Sequence, residues 1–324
     1  EVPEEVGMSS IWLDNRKNVY LNSFCFGYRL KVNIDNYYLA FMLRSPVFRK
    51  RMVFLAQGIS RYNISKTKVM GVNVSVPASI TEQSKIGALF QNLDKLITLR
   101  QRKYDTLCNI KKALLDKMFP QDGAALPEIR FAGLDEPWVK RILGKDVADI
   151  VGGGTPSTSV SLYWNGTIDW YSPTEIGKDI YAISSEKKIT ELGLKKCSAK
   201  ILPADKTILF TSRAGIGDMA ILKRSAATNQ GFQSLVLKDG YNTYFFYSMG
   251  FLIKRYAIKY SSGSTFLEIS GKKLGIMEVQ VPEENEQTKI GALFQNLDKL
   301  ITLQQQELDK LKQLKKAFLE KMFV

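Results

Sequence analysis

Histidine does not occur anywhere in the 324 residues. Its absence excludes His-based catalytic triads, HExxH metal sites and the His-containing zinc deaminase signature. Cysteine is scarce: Cys25, Cys108 and Cys197 are an odd, scattered set without disulfide or metal-ligand spacing. They are expected to be reduced thiols of a cytoplasmic protein. No Pro-Pro pair is present, so the Asn/Asp-Pro-Pro-aromatic loop of an adenine methyltransferase is missing. The nearest approaches to phosphate loops are GGGTP (Gly152–Pro156) and AGIGD (Ala214–Asp218). Both lack GK[S/T] and the GxGxxG spacing, and both read as turns. No apolar run approaches the roughly 18 residues that span a bilayer, and no signal-peptide pattern opens the sequence. The expectation is a chain without catalytic residues, metal or resident cofactor.

Acidic residues are also in deficit. Lys and Arg exceed Asp and Glu by 14. The excess is +6 over 1–81, +4 over 82–120, +4 over 121–282 and zero over 283–324. A basic surface suits a polyanion, although a high pI also aids solubility by itself. No segment pairs a Lys/Arg face with Trp or Phe at helical spacing, which disfavours a membrane surface.

An internal repeat organises the chain. KIGALFQNLDKLITL occurs at Lys85–Leu99 and, unchanged, at Lys289–Leu303. KKALLDKMF (Lys111–Phe119) answers to KKAFLEKMF (Lys315–Phe323) at the same offset of 204, and 27 of the 38 positions from Glu82 to Phe119 are identical to their partners. Upstream the offset becomes 205: Ile64-Ser65 matches Ile269-Ser270, and a strand NVSVP ending at Pro77 matches EVQVP ending at Pro282.

Each copy follows a Pro, starts in a polar or acidic turn and runs without an internal Pro, so each reads as one long helix. A 38-residue helix is a rod of about 57 Å. Ile86, Leu89, Leu93, Leu96, Leu107, Ile110 and Leu114 form a heptad seam, widened by Phe90, Ile97, Tyr104 and Met118. The second copy offers Ile290, Leu293, Leu297, Leu300, Leu311, Leu314 and Phe318, widened by Phe294, Ile301, Leu308 and Met322. The natural partner for each stripe is the other copy, as an antiparallel pair; packing of each helix on its own module is the alternative. Both stripes lapse at Arg100/Lys103 and Gln304/Glu307, where a polar belt is expected to fix register.

Residues 121–131 read as a Gly/Pro-bearing linker. Beyond it, β-like runs at Thr207–Phe210, Met219–Leu222 and Gln233–Val236 alternate with turns, and Tyr241–Tyr260 looks helical. Residues 1–77 echo only the second half of this module, so the first module is expected to lack some 80 residues. The organisation expected is a partial module (1–81), a helix (82–120), a full module (121–282) and a helix (283–324). The fold class is α+β: two α/β modules, the first incomplete, separated by two long antiparallel coiled-coil helices with pseudo-twofold repeat symmetry.

Five strings in order resemble the specificity subunit of type I restriction-modification systems. LPEIRF with Trp138, VGGGTPST (Val151–Thr158) and YWNGTIDW (Tyr163–Trp170) are similar to the opening of that family's target recognition domains. ATNQGFQSL (Ala227–Leu235) and SSGST (Ser261–Thr265) are similar to later landmarks, and the EQxKIxxxxxxLDxxI helices to its spacers. The resemblance implies that each domain reads one half of a split double-stranded DNA target while the helices set the gap. It also implies assembly with two methyltransferase (modification) subunits and, for cleavage, restriction subunits. S-adenosylmethionine is implied only for the methyltransferase partner. The chain departs from the pattern in its short first module, which has no GGGTPST or YWNGTIDW counterpart. A coiled-coil scaffold that binds no DNA is the alternative.

DNA phosphates are met by Lys, Arg, hydroxyls and backbone N–H, and base edges by Arg, Asn, Gln and hydroxyls. The candidates in the second module are Thr155, Ser157, Thr158, Tyr163, Trp164, Ser212 and Arg213, then Lys254, Arg255, Lys259, Tyr260, Ser262 and Ser264. Those in the first are Arg49, Lys50, Arg51, Ser60, Arg61, Tyr62 and Asn63. Trp164 and Trp170 also fit as core or loop anchors, Asn229 and Gln230 as turn braces, and Arg49–Arg51 as a solvated helix face.

Overall fold

A computed structural model describes residues 6–14, 16–58, 62–121, 124–263 and 267–323. The chain divides into two compact units, residues 1–106 with 301–324, and residues 107–300. The division cuts through both long helices, α4 (Ile80–Met118) and α9 (Glu284–Lys321), rather than falling at their ends.

The first unit holds α1 (Asn36–Met42), α2 (Pro46–Leu55) and α3 (Lys66–Met70). Asp35 caps α1, its carboxylate accepting from Tyr38 N–H at 2.9 Å, and Ser45 caps α2 ahead of Pro46. Both are the helix starts that an oxygen side chain and an N-terminal Pro favour. Tyr38, Phe41, Met42, Phe48 and Met52 pack on Ile86, Phe90 and Leu93 of α4 and on Phe323. The strand expected at NVSVP pairs with nothing among the described residues.

Among the described residues the second unit has three sheets. The strands β1 (Val139–Ile142) and β10 (Glu278–Val281) pair antiparallel. The largest sheet has the order β2-β9-β6-β7-β4, from Ala148–Gly152, Gln233–Leu237, Thr207–Phe210, Met219–Leu222 and Tyr181–Ala182. The third places β3 (Trp164–Tyr171) between β5 (Lys187–Ile189) and β8 (Ala226–Thr228). The helices are α5 (Glu191–Lys195), α6 (Thr243–Ser248), α7 (Gly250–Tyr260) and α8 (Gly271–Gly275), so the helical stretch expected at 241–260 is broken once. Its core joins Leu143, Val147, Ile208, Phe210, Leu235 and Phe245 to Phe294 of α9 and to Phe119 beyond α4.

The helix seam differs from its expected course. Leu96 and Leu300 are both 48% exposed, so neither lies in a buried stripe. Ile86, Leu93, Ile290 and Leu297 are buried; Leu89, Leu107, Leu114, Leu293, Leu311 and Phe318 are half-buried. The true seam steps 4-3-4-3 through Ile86, Phe90, Leu93, Ile97, Arg100, Tyr104, Leu107 and Lys111, with the same course from Ile290 to Lys315. Leu96 is one residue, about 100° of helix rotation, off that line. Within the first unit Arg100 donates to Gln304 at 3.3 Å and pairs with Glu307 at 3.0 Å, and Lys315 pairs with Asp94. Lys103 is exposed and makes no such contact among the described residues. Within the second unit Lys111 meets Asp298 at 2.5 Å, and Asp298 also accepts from the Tyr244 hydroxyl at 2.7 Å. Burial and the Asp298 carboxylate push the Tyr244 pKa well up, and burial pushes that of Tyr247 up to about 12.

Candidate nucleic-acid interface

Three sequence motifs that are far apart in the chain meet on one rim of the second unit. The first is the loop after β2. Gly153 lies against backbone: a Cβ there would sit 2.0 Å from the Asn229 carbonyl oxygen and 2.2 Å from that of Thr228. Only glycine permits that approach, and Gly154 N–H then donates to Thr228 O at 2.9 Å. The second motif, ATNQGF, is thereby pinned to the first, and the Thr155 hydroxyl donates to Gln230 Oε1. The third is SRAG: Ser212 N–H donates to Gly231 O at 2.8 Å, which sets Arg213 beside Gly231.

Arg213 is half-buried and has no hydrogen bond or ion pair among the described residues. Its loop is stiff. The Thr211 hydroxyl donates to Gly215 O at 2.6 Å and accepts from Asp218 N–H at 2.9 Å, and Lys254 pairs with Asp218 at 2.9 Å. A guanidinium on a braced loop is pre-organised for a bidentate acceptor.

Thr155, Ser157 and Thr158 are exposed on the same rim. The Trp pair beneath them is hydrogen-bonded to the loop. Trp170 is buried and its indole N–H donates to Gly154 O at 2.9 Å. Trp164 donates to Ser157 O at 3.1 Å and meets Trp170 edge-on with centroids 5.1 Å apart. Tyr163 is half-buried, its carbonyl accepting from Thr190 N–H. Asn229 braces its turn, accepting from Gly231 N–H at 2.8 Å.

Sequence reasoning missed a cationic cluster on this rim. Ser198 donates to Gly153 O at 3.2 Å, and Lys195, Lys196 and Lys200 beside it are exposed and unpaired among the described residues. The string LKKCSAK was the available signal, but nothing in it tied those lysines to the glycine loop 40 residues earlier. Below the rim, Asp169 is buried. Burial alone would raise its pKa, but hydrogen bonds from Lys188 and from Ser185 and Ser184 hold it below the ordinary carboxylate value.

Other candidates fall elsewhere. Ser212 is fully buried, with its hydroxyl turned to Glu268, because the chain from β6 continues inward as a bridge at Thr211. It is corrected from a DNA contact to a core residue. Lys254 serves as a loop brace. Arg255 is exposed and donates to Gln121 at 3.2 Å. Lys259 and Tyr260 are exposed, and Lys259 and Lys273 lie over the Tyr260 ring. Ser262 is exposed, its backbone bridged to Glu268. Ser264 lies outside the described residues.

In the first unit, Arg49 donates to Val6 O at 2.7 Å and Arg51 to Asn73 O, so these two guanidinia hold their own chain. Burial lowers the Arg49 pKa. Lys50 is exposed, Tyr62 is half-buried and Asn63 is exposed in a backbone bridge to Gln57. Ser60 and Arg61 lie outside the described residues. Among the described residues no cluster of acidic or Cys side chains suits a metal, and no helix is long and apolar enough to cross a membrane.

The chain is 41% identical over 168 residues to the type I restriction enzyme MjaIX specificity subunit of Methanocaldococcus jannaschii, covering 50% of this chain and 38% of that protein. It is 34% identical over 158 residues to the EcoR124I/EcoR124II specificity subunit of Escherichia coli, covering 46% of this chain and 38% of that protein. The matched stretch thus spans well under half of either relative. The fold resembles that of the type I restriction-modification S subunit from M. genitalium, with a TM-score of 0.60 at 18% identity over 90% of this chain and 73% of that one. It also resembles the HsdS subunit from Thermoanaerobacter tengcongensis, with a TM-score of 0.55 at 20% identity over 88% and 69%. The model of the type I restriction modification DNA specificity domain matches residues 8–109 and again 135–313, and the chain belongs to that family.

Proposed function

We propose that this chain is a non-catalytic DNA-recognition subunit of a type I restriction-modification complex. The observation that carries the reading is the double match to a DNA specificity domain, one match running into each of two near-identical helices. The second module reads its half-site through the rim of Thr155, Ser157, Thr158 and Arg213, with Lys195, Lys196 and Lys200 on phosphates.

The two helices form an antiparallel ruler. In support, partner numbers fall as helix numbers rise: Asp94 with Lys315 and Arg100 with Glu307 in the first unit, then Lys111 with Asp298 in the second. The exposed helix faces and nearby module surfaces receive two methyltransferase subunits, which bring S-adenosylmethionine, and a restriction subunit joins for cleavage. The complex works in the cytoplasm.

The test is co-expression with the cognate methyltransferase subunit followed by sequencing of methylated sites. Methylation at a split site is expected; a stable complex indifferent to DNA would favour the scaffold, and methylation by this chain alone would overturn the assignment. Neutralising Lys195, Lys196 or Lys200 should lower the log–log salt slope of binding by about one each. Arg213→Ala should relax preference at a single base pair.

A further inference from the structure

Two donor groups lie side by side on the rim of the second unit, and one of them is turned by a neighbour. Gln230 is exposed in the ATNQGF turn, which is held on both sides of it. Asn229 N–H donates to Tyr171 O at 3.0 Å, the Asn229 side chain accepts from Gly231 N–H at 2.8 Å, and Gly231 O accepts from Ser212 N–H at 2.8 Å. Gly231 leaves no room for a side chain: a Cβ there would lie 2.7 Å from Pro173 and 3.5 Å from Arg213 Nε. The Arg213 side chain therefore passes beside the turn at Gly231, one residue along the chain from Gln230.

The Gln230 amide has two unlike ends. Its Oε1 accepts from the Thr155 hydroxyl, which the glycine loop presents because Gly153 and Gly154 pack on the backbone of Thr228 and Asn229. Its Nε2 has no hydrogen bond among the described residues. A free glutamine reads adenine with both ends, accepting from N6 and donating to N7. Here the accepting end is taken, so the amide offers donors alone, as the Arg213 guanidinium does. In the major groove guanine presents O6 and N7 and thymine presents O4, whereas adenine and cytosine carry an amino group at the matching place. Donors therefore suit the keto bases, and an amino base would leave N–H facing N–H with both desolvated and unsatisfied.

Building on the reading of this rim as the DNA surface, we propose that Gln230 is a base-reading residue and Thr155 its positioning residue. Arg213 forks onto O6 and N7 of a guanine. Gln230 Nε2 donates to O6 of guanine or O4 of thymine at the neighbouring position. The second module thus selects two adjacent keto bases, and Thr155 acts on the second of them through the orientation of the amide.

The experiment is sequencing of methylated sites in cells that co-express the full chain, or a variant, with its cognate methyltransferase subunit. The wild-type motif should hold a guanine beside a position occupied by guanine or thymine. Gln230→Ala should lower discrimination at that second position by about tenfold and leave the guanine in place. Gln230→Glu puts an acceptor where the donor was and should switch the position to cytosine or adenine. Thr155→Val keeps the shape, removes the hydroxyl and frees Oε1, so adenine should be admitted there, while Thr155→Ser should retain the wild-type motif. Thr155→Val carries the test by itself if Gln230→Glu repels the duplex. Arg213→Lys loses the fork and should relax the guanine alone. A motif unchanged by both Gln230→Ala and Thr155→Val would overturn the proposal, as would Thr155→Val and Thr155→Ser that behave alike. A wild-type complex that methylates no defined motif would overturn the DNA-recognition reading itself, and the proposal with it.

Discussion

In the first unit the joint between module and long helix is made by Asp35, Tyr38, Gln83, Gly87, Phe90 and Phe323. In the second it is made by Asn242, Phe245, Gln287, Gly291, Phe294 and Phe119. The bonds correspond one to one. Gln83 Oε1 accepts from Asp35 N–H at 2.9 Å and Gln83 Nε2 donates to Pro77 O; Gln287 does the same with Asn242 N–H and Pro282 O at 3.0 Å. A Cβ on Gly87 would lie 2.8 Å from the Asp35 carboxylate, and one on Gly291 2.4 Å from the Asn242 side chain. Phe90 meets Phe323 at 5.5 Å, and Phe294 meets Phe119 at 5.9 Å. Each core therefore includes a phenylalanine just past the end of a long helix, Phe323 after α9 and Phe119 after α4. The surroundings differ: the second joint lies under Trp138 and a buried Glu286, whereas Glu82 and its neighbouring valines face water. The joint is thus set by the repeat, and its cover is independent of it.

The comparison can be broken most forcefully at the two phenylalanines. Phe294→Ala and Phe90→Ala should each cost about 3–5 kcal/mol, read by urea unfolding. A much smaller loss for Phe90→Ala would show that the first joint is not packed like the second. The repeated ion pair should be unequal. Asp298 is buried and serves both Lys111 and Tyr244, so Asp298→Ala should cost about 2–3 kcal/mol. Asp94 is more exposed, and Asp94→Ala should cost less than about 1 kcal/mol; equal losses would remove the asymmetry. Gly291→Ala and Gly87→Ala should each cost about 1–2 kcal/mol through crowding of the helix cap, with the closer approach at Gly291 making it the worse of the two. The smallest effect is a matter of pH. Because the Asp169 pKa is depressed on folding, its stabilisation is complete above the ordinary carboxylate pKa and disappears as pH falls through the folded value. Lys188→Met should remove part of that acid-side slope, measured as thermal midpoint between neutral pH and pH 3.

How much of this was legible beforehand follows from range. The long helices, the strands Thr207–Phe210 and Met219–Leu222 and the polar contact at Arg100 follow from periodicity and repeat, which are local properties. The seam was displaced at Leu96 and Leu300 because both faces offer Leu, and only packing chooses between adjacent stripes. NVSVP carries the alternation of a strand, but a strand exists only when another pairs with it. Ser212 reads as a polar loop residue, yet it sits inside because the chain beside it bridges to Phe232. Lys195, Lys196 and Lys200 gained meaning only from Ser198 touching Gly153.

The amino-acid sequence by itself determined the duplication, the helical rods, the basic balance and the exclusion of histidine chemistry, since each depends on residue identity and short-range spacing alone. Tertiary structure decided which stripe is buried, which cations are free rather than spent on their own chain, and where GGGTP, NQGF and SRAG converge. It also decided that Val279 and Val281 lie in a paired strand, whereas residues 73–76 form none among the described residues. Those outcomes depend on which surfaces find a partner, and burial, pairing and charge neutralisation are properties of contacts between segments that lie far apart in the chain.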